Sequence, residues 1–294
     1  MLAAIVGDVV GSRHESTGSR ETGVALWNPE CRFTDETLGT LALGQWLLES
    51  DGESAPADWL RGLCLDHVER GFGPACLHRL RRPMVQMAPS ADSAAAARAS
   101  AIAFWAGSDA EAMSLAHRSA SPGHAHSDAE EGAQAAVWAI RHAFAHRDPA
   151  RLLADASVRW SYGNLTESDP AAERKEHSFD PTARGTVPLA MVLAARGGSF
   201  EGTLRAALSM GGDADTLAAL AAPIAEGLYG LDLDLAQRCV RRLEFWLDIR
   251  FFEILTAFHA HPRVRGFYAA HGRQVPPVGD WHAGGPLATD QPVL

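Results

Sequence analysis

Residues 211–230 read GGDADTLAALAAPIAEGLYG. After Gly211-Gly212-Asp213-Ala214-Asp215-Thr216, the apolar positions Leu217, Leu220, Ala221, Ile224 and Leu228 recur at helical spacing, one stripe of an α-helix. Two glycines and two carboxylates therefore stand where a helix begins. The design recurs earlier in the chain: Thr34-Asp35-Glu36-Thr37 directly precedes Leu38, Leu41, Ala42 and Trp46, again on one helical face. Further out, Val137, Ile140 and Phe144 mark a helix over 133–146, Phe200, Leu204, Ala207 and Leu208 mark another, and 236–260 forms a long amphipathic stretch. Pro188 reads as a first-turn proline. The chain is rich in Ala and Leu and poor in alternating β-branched runs. The reading is all-α, with one domain over 1–260 and loops at 12–33 and 161–185. The Pro/Gly-rich residues 261–294 read as an extended, less ordered C-terminal extension.

The 294 residues can bury a sizeable core, and 47% hydrophobic with 21% charged residues suits a globular protein. A net charge of −10 argues against a nucleic-acid partner, whose phosphates it would repel, and favours cations, divalent metals included. Cys31, Cys64, Cys76 and Cys239 are scattered without a C-x-x-C pair, which excludes a disulfide framework or a cysteine zinc site and suits a reducing compartment. Asp8 interrupts the apolar run of Met1–Val10, leaving it too short for a secretory signal, and no run approaches the roughly 18 apolar residues of a spanning helix. The expectation is a cytoplasmic protein with no membrane segment.

Three short acidic motifs can carry chemistry. The first is Gly7-Asp8-Val9-Val10-Gly11-Ser12, with Glu15 three residues on. Alone, it also reads as a helix interrupted by a turn. The second and third, Thr34–Thr37 and Gly211–Thr216, sit at helix starts. There, Thr and Asp can simply cap orphan N–H groups and suit the helix dipole. Asp213-Ala214-Asp215-Thr216, however, offers three hard oxygen donors within one turn, and Gly211-Gly212 lets a ligand approach the backbone closely. Hard oxygen donors without a His or Cys cluster favour magnesium, manganese or calcium over zinc. His124-Ala125-His126 lacks the i, i+4 spacing of a helical zinc pair and reads as loop before a helix.

Taken together and in this order, the three motifs resemble the ADP-ribosylglycohydrolase family, which shows a Gly-Asp-x-x-Gly-Ser element, a Phe-Thr-Asp-Asp-Thr element and a Gly-Gly-Asp-x-Asp-Thr element. Here these are Gly7–Glu15, Phe33–Thr37 and Gly211–Thr216. Shorter similarities lie at His124-Ala125-His126 with Gly132–Ala135, at Gly185-Thr186-Val187-Pro188 and at Ala225–Gly230, so the resemblance spans about residues 1–232. It implies a compact orthogonal helical bundle. It also implies a site for magnesium, two ions in the family's pattern with manganese the alternative, held by Thr34, Asp35, Glu36, Asp213, Asp215 and Thr216. Glu15 and Asp35 are then the catalytic carboxylates, and Asp8, Gly11, Ser12, Arg98, His126, Gly211 and Gly212 the substrate-binding positions. The implied reaction is hydrolysis of the bond joining ADP-ribose to a modified protein or a small ADP-ribosyl conjugate. A non-catalytic ADP-ribose binder and, from the acidic motifs alone, a magnesium-dependent phosphohydrolase are the competing readings. The chain departs from the family at two places. Glu36 replaces the second Asp, and Asp92–Arg98 replaces a Gly-Asn-Gly-Ser-Ala-Met-Arg loop. Alanines there favour a helix from about Ala94 to Trp105 in place of a cradling loop.

Overall fold

In a computed structural model, which describes residues 1–15, 20–81, 90–120, 126–176, 180–246 and 249–283, the chain runs through helices joined by short loops. In order these are α1 (Leu2–Gly11), α2 (Asp35–Ser50), α3 (Ala57–Leu65), α4 (Pro74–Leu80), α5 (Ala94–Ala97), α6 (Ser100–Trp105), α7 (Asp109–Ala120) and α8 (Ser127–His146). They continue as α9 (Pro149–Arg159), α10 (Pro170–Glu176), α11 (Ala183–Arg196), α12 (Phe200–Leu208), α13 (Ala214–Tyr229), α14 (Leu233–Trp246), α15 (Ile249–Ala260) and α16 (Pro262–Ala270). Among the described residues there is no strand, only an isolated bridge between Asp92 and Thr182. No helix among them is long and apolar enough to cross a membrane.

Two helices form the centre. Every residue of α1 is buried, as is α13 from Ala214 to Leu228, and a helix apolar on all sides must lie inside. They pack backbone to backbone because α1 presents glycine one turn apart. A Cβ on Gly7 would lie 2.2 Å from the Ala218 carbonyl oxygen, and one on Gly11 would lie 2.3 Å from the Asp215 Cα. Around this pair, α13 also meets α8, α11 and α12, and α1 meets α2 and α14. The Gly7–Gly11 contact sets the position of Asp215 relative to Asp8, so packing at the centre determines the geometry of the acidic motifs.

Five local expectations change, the first being the loop read at 161–185, which holds α10 and the start of α11. α1 runs without a turn through Asp8 to Gly11, since the glycines serve close packing and need no break. Pro188 lies in the second turn of α11, because Thr182 starts that helix earlier by accepting from the Gly185 N–H at 3.1 Å. The stretch 236–260 divides into α14 and α15. Finally, the segment after His261 is not an extended tail through its described part. His261 caps α16, whose Phe267 and Tyr268 are buried against Phe104 and Phe144 at centroid distances of 5.1–5.8 Å. Such ring pairs contribute about 1 kcal/mol each beyond burial. The Tyr268 hydroxyl also donates to Glu226 Oε1 on α13 at 2.7 Å.

Candidate active site

The site starts from Asp8, one turn before the end of α1 and fully buried. Its Oδ2 accepts from the backbone N–H of Thr34 at 2.9 Å and of Thr37 at 3.1 Å, and from the Thr37 hydroxyl. Its Oδ1 accepts from the Thr34 hydroxyl at 2.5 Å. These N–H groups belong to the first turn of α2, which has no partners within its own helix. Asp8 thus caps α2 from another helix. Thr34 adds an ordinary cap, its hydroxyl accepting from Glu36 N–H at 3.4 Å. Thr37 belongs to this anchor, a role its place after the acidic pair does not announce.

α13 begins differently. Gly211 and Gly212 hold φ of +74° and +70°, a region where side chains are strained, and turn the chain into the helix. Asp213 occupies the N-cap position yet makes no side-chain capping hydrogen bond. Its charge instead bears on Asp215, whose carboxyl it helps to raise. The Thr216 hydroxyl donates to Glu36 Oε1 at 2.8 Å, which ties the start of α13 to the start of α2. Asp35 stands beside Gly71, where a Cβ would come within 3.0 Å of its Oδ1. The structure therefore brings together Asp8, Thr34, Asp35, Glu36, Asp213, Asp215 and Thr216, with Glu15 in the same field. Asp35, Asp213 and Glu15 are half-buried, and the others are buried.

The electrostatics are those of carboxylates forced together. Burial first, then the charge of Asp8 and more weakly of Asp213 and Glu15, pushes the Asp35 carboxyl up to about 7. Glu36 is raised by burial, then by Asp35 and Asp213, although the Thr216 hydroxyl opposes the shift. Asp215 is raised by burial, then by Asp8 and Asp213. Glu15 is raised by burial and by Asp213, with Arg32 pulling the other way. Burial also raises Asp8, offset in part by its four hydrogen bonds. Among the described residues, Arg32 offsets this repulsion at Glu15. Oxygen donors of this kind suit a hard divalent cation. Among the described residues no three His, Cys, Asp or Glu groups stand close enough together to hold a metal ion as they are. The donor types are those a hard cation takes, while their placement here does not surround one.

The remaining positions do other work. Gly11 is a packing glycine against Asp215. The Ser12 hydroxyl donates to the Val9 carbonyl at 2.8 Å and accepts from Arg32 N–H at 3.0 Å, pinning the chain before α2. His126 caps α8, its Nδ1 accepting from Asp128 N–H at 3.2 Å. His124 and Ala125 lie outside the described residues. Residues 94–105 are helical as expected, but as α5 and α6 with Arg98 and Ala99 between them. Arg98 is neither a surface residue nor an extended arm. It is buried with its stem against Gly39 of α2, and its Nη2 donates to the Ser119 carbonyl at 3.3 Å.

Comparison with known proteins follows the same lines. The sequence profile described as ADP-ribosylglycohydrolase matches residues 1–262. A solved structure, an "ADP-ribosylglycohydrolase-related protein complex", has a similar fold, with a TM-score of 0.64 at 24% identity over 90% of this chain and 96% of that one. No curated protein matches this sequence.

Proposed function

Because the chain belongs to the ADP-ribosylglycohydrolase family, we propose that it hydrolyses, with magnesium, the glycosidic bond between ADP-ribose and a modified protein side chain or small conjugate. The observation that carries this reading is the start of α13. Asp213 holds a cap position without capping, next to Asp215 and across from Asp35 and Glu36. A carboxylate that caps none of its helix's N–H groups is available to a ligand. Asp35, Asp213 and Asp215, with Thr34, Glu36 and Thr216, are the donors for magnesium or manganese. A divalent cation bound there would hold ribose hydroxyls and polarise a water.

The chain's own residues account for the proton. The oxygen of a water attacks the anomeric carbon while the bond from that carbon to the acceptor nitrogen or oxygen breaks, and the leaving group takes up a proton. Asp35 or Glu15, both half-buried, accepts the water's proton or stabilises the positive charge developing on the sugar. Gly211 and Gly212 present backbone without side chains beside this point. The scattered cysteines, with no C-x-x-C pair, suit a reducing, cytoplasmic setting.

The test is release of ADP-ribose from arginine-, serine- and nucleotide-linked conjugates by magnesium-loaded protein. Asp35→Ala should abolish it, Glu15→Ala should reduce it strongly, and chelation should stop it. No release from any of the three would refute the hydrolase. A second reading, a non-catalytic ADP-ribose binder, draws on the helical α5 and the buried Arg98, which replace a backbone cradle for phosphate. ADP-ribose binding without turnover would select it.

A further inference from the structure

Away from the acidic site, the C-terminal half of α2, α3 and α15 enclose a groove of about 550 Å³. That is a usual size for a site taking a small molecule or a few residues of peptide. Its floor is apolar, made by Leu48, Leu63 and Ile254. Trp59 forms a wall and is held upright, since its indole N–H donates to Glu49 Oε2 at 2.8 Å while Gln45 donates to the other oxygen at 2.8 Å. Gly62 leaves the groove open on the α3 side, with nothing within 4 Å of where its Cβ would stand.

The charge around this floor is one-sided. Glu49, Asp58, Asp66 and Glu253 line it against one cation, Arg250, which pairs with Asp66 at 3.5 Å. We infer that the groove docks a basic segment of a partner polypeptide, with arginine or lysine stems on the apolar floor and their charged heads on the carboxylates and the Trp59 face. Such side chains are long apolar stems with a cation at the tip, the shape that this lining complements. The carboxylates also favour a polypeptide over a small cation. Asp58 lies in the first turn of α3 and Asp66 caps its last, so helical rise separates them by roughly 12 Å. No single ammonium group reaches both, whereas basic residues at i and i+4 of an extended segment stand about 13 Å apart. The inference is independent of which reaction the acidic site performs.

The probe is a blocked pentapeptide, Arg-Leu-Ala-Leu-Arg, titrated by calorimetry into the full chain. Saturable binding that weakens with salt is expected. The double variant Asp58→Lys with Glu253→Lys, both exposed positions that leave folding intact, should lose affinity at least tenfold. A matched double variant, Glu173→Lys with Asp234→Lys, reverses exposed carboxylates that do not line the groove and should lose less than twofold. Asp213→Ala should bind the peptide unchanged, which separates this result from any failure at the acidic site. No binding, an equal loss in both double variants, or spermidine binding as tightly as the peptide would each overturn the proposal.

Discussion

Asp8→Ala would strip the cross-helix partner from four donors at the start of α2: the N–H groups and the hydroxyls of Thr34 and Thr37. Leaving buried donors unpaired is costly, so a loss of about 3 kcal/mol in urea unfolding is expected, with Asp8→Asn intermediate. Asp213→Ala should behave in the opposite way. Its side chain caps nothing, and its charge opposes ionisation of Asp35, Glu36 and Asp215. Stability in chelator should therefore change by less than about 1 kcal/mol, while calorimetry should show magnesium binding lost. If Asp8→Ala is as stable as the parent, or Asp213→Ala still binds magnesium, this division of labour fails. The two aspartates look alike in the sequence, since both follow glycine in a short acidic motif. Which one faces inward depends on what the partner helix presents, and a one-dimensional pattern does not contain that. Ser12 and His126 meet the same limit: hydroxyl and imidazole are both cap and ligand chemistry, and the sequence alone does not show that the Ser12 hydroxyl and His126 Nδ1 meet backbone groups.

Helix identity was legible where one face is apolar and the other is not. Leu38, Leu41, Ala42 and Trp46 of α2 and Leu217, Leu220, Ala221 and Ile224 of α13 fall where their spacing puts them, and all are buried. The all-α reading follows from such stripes. Harder to read was α1, apolar on every side and interrupted by Asp8, where periodicity carries no information. Its signal is the Gly7–Gly11 spacing, meaningful only against the alanine-lined face of α13. Gly11→Ala should force α1 and α13 apart, because its Cβ would meet backbone at 2.3 Å and backbone cannot swing away. About 3 kcal/mol of destabilisation is expected, with loss of magnesium affinity as Asp215 shifts. Gly266→Ala in α16, where a Cβ meets nothing within 4 Å, is the control and should be neutral or stabilising by up to about 1 kcal/mol. Equal thermal shifts for the two variants would show that the close approach does not matter. Over 262–270 the Pro/Gly content misleads, because Pro262 stands at the first position of α16, where it favours the helix.

Across the whole molecule, the acidic cluster sits where the central pair of helices ends, so its ionisation bears on folding as well as on chemistry. Asp35 moves from an ordinary 3.8 to about 7 in the folded chain, and Glu15, Glu36 and Asp215 move in the same direction. A carboxyl with a raised folded value binds its proton more tightly folded than unfolded. Its contribution is fully present below the unfolded value and is lost as pH rises through the folded one. Chelator-treated protein should therefore melt at progressively lower temperature from pH 5 to pH 8, the interval in which Asp35 and its neighbours are compelled to ionise side by side. A divalent cation reverses the penalty, because it binds the ionised carboxylates of the folded chain. At a hundredfold excess over its dissociation constant the gain is about 2.7 kcal/mol. Magnesium should thus raise the melting temperature most at pH 8 and little at pH 5, where protons compete for the same oxygens. A chelated protein as stable at pH 8 as at pH 5 would contradict the crowding of charge. A magnesium shift of equal size at both values would separate the cation's effect from these carboxylates.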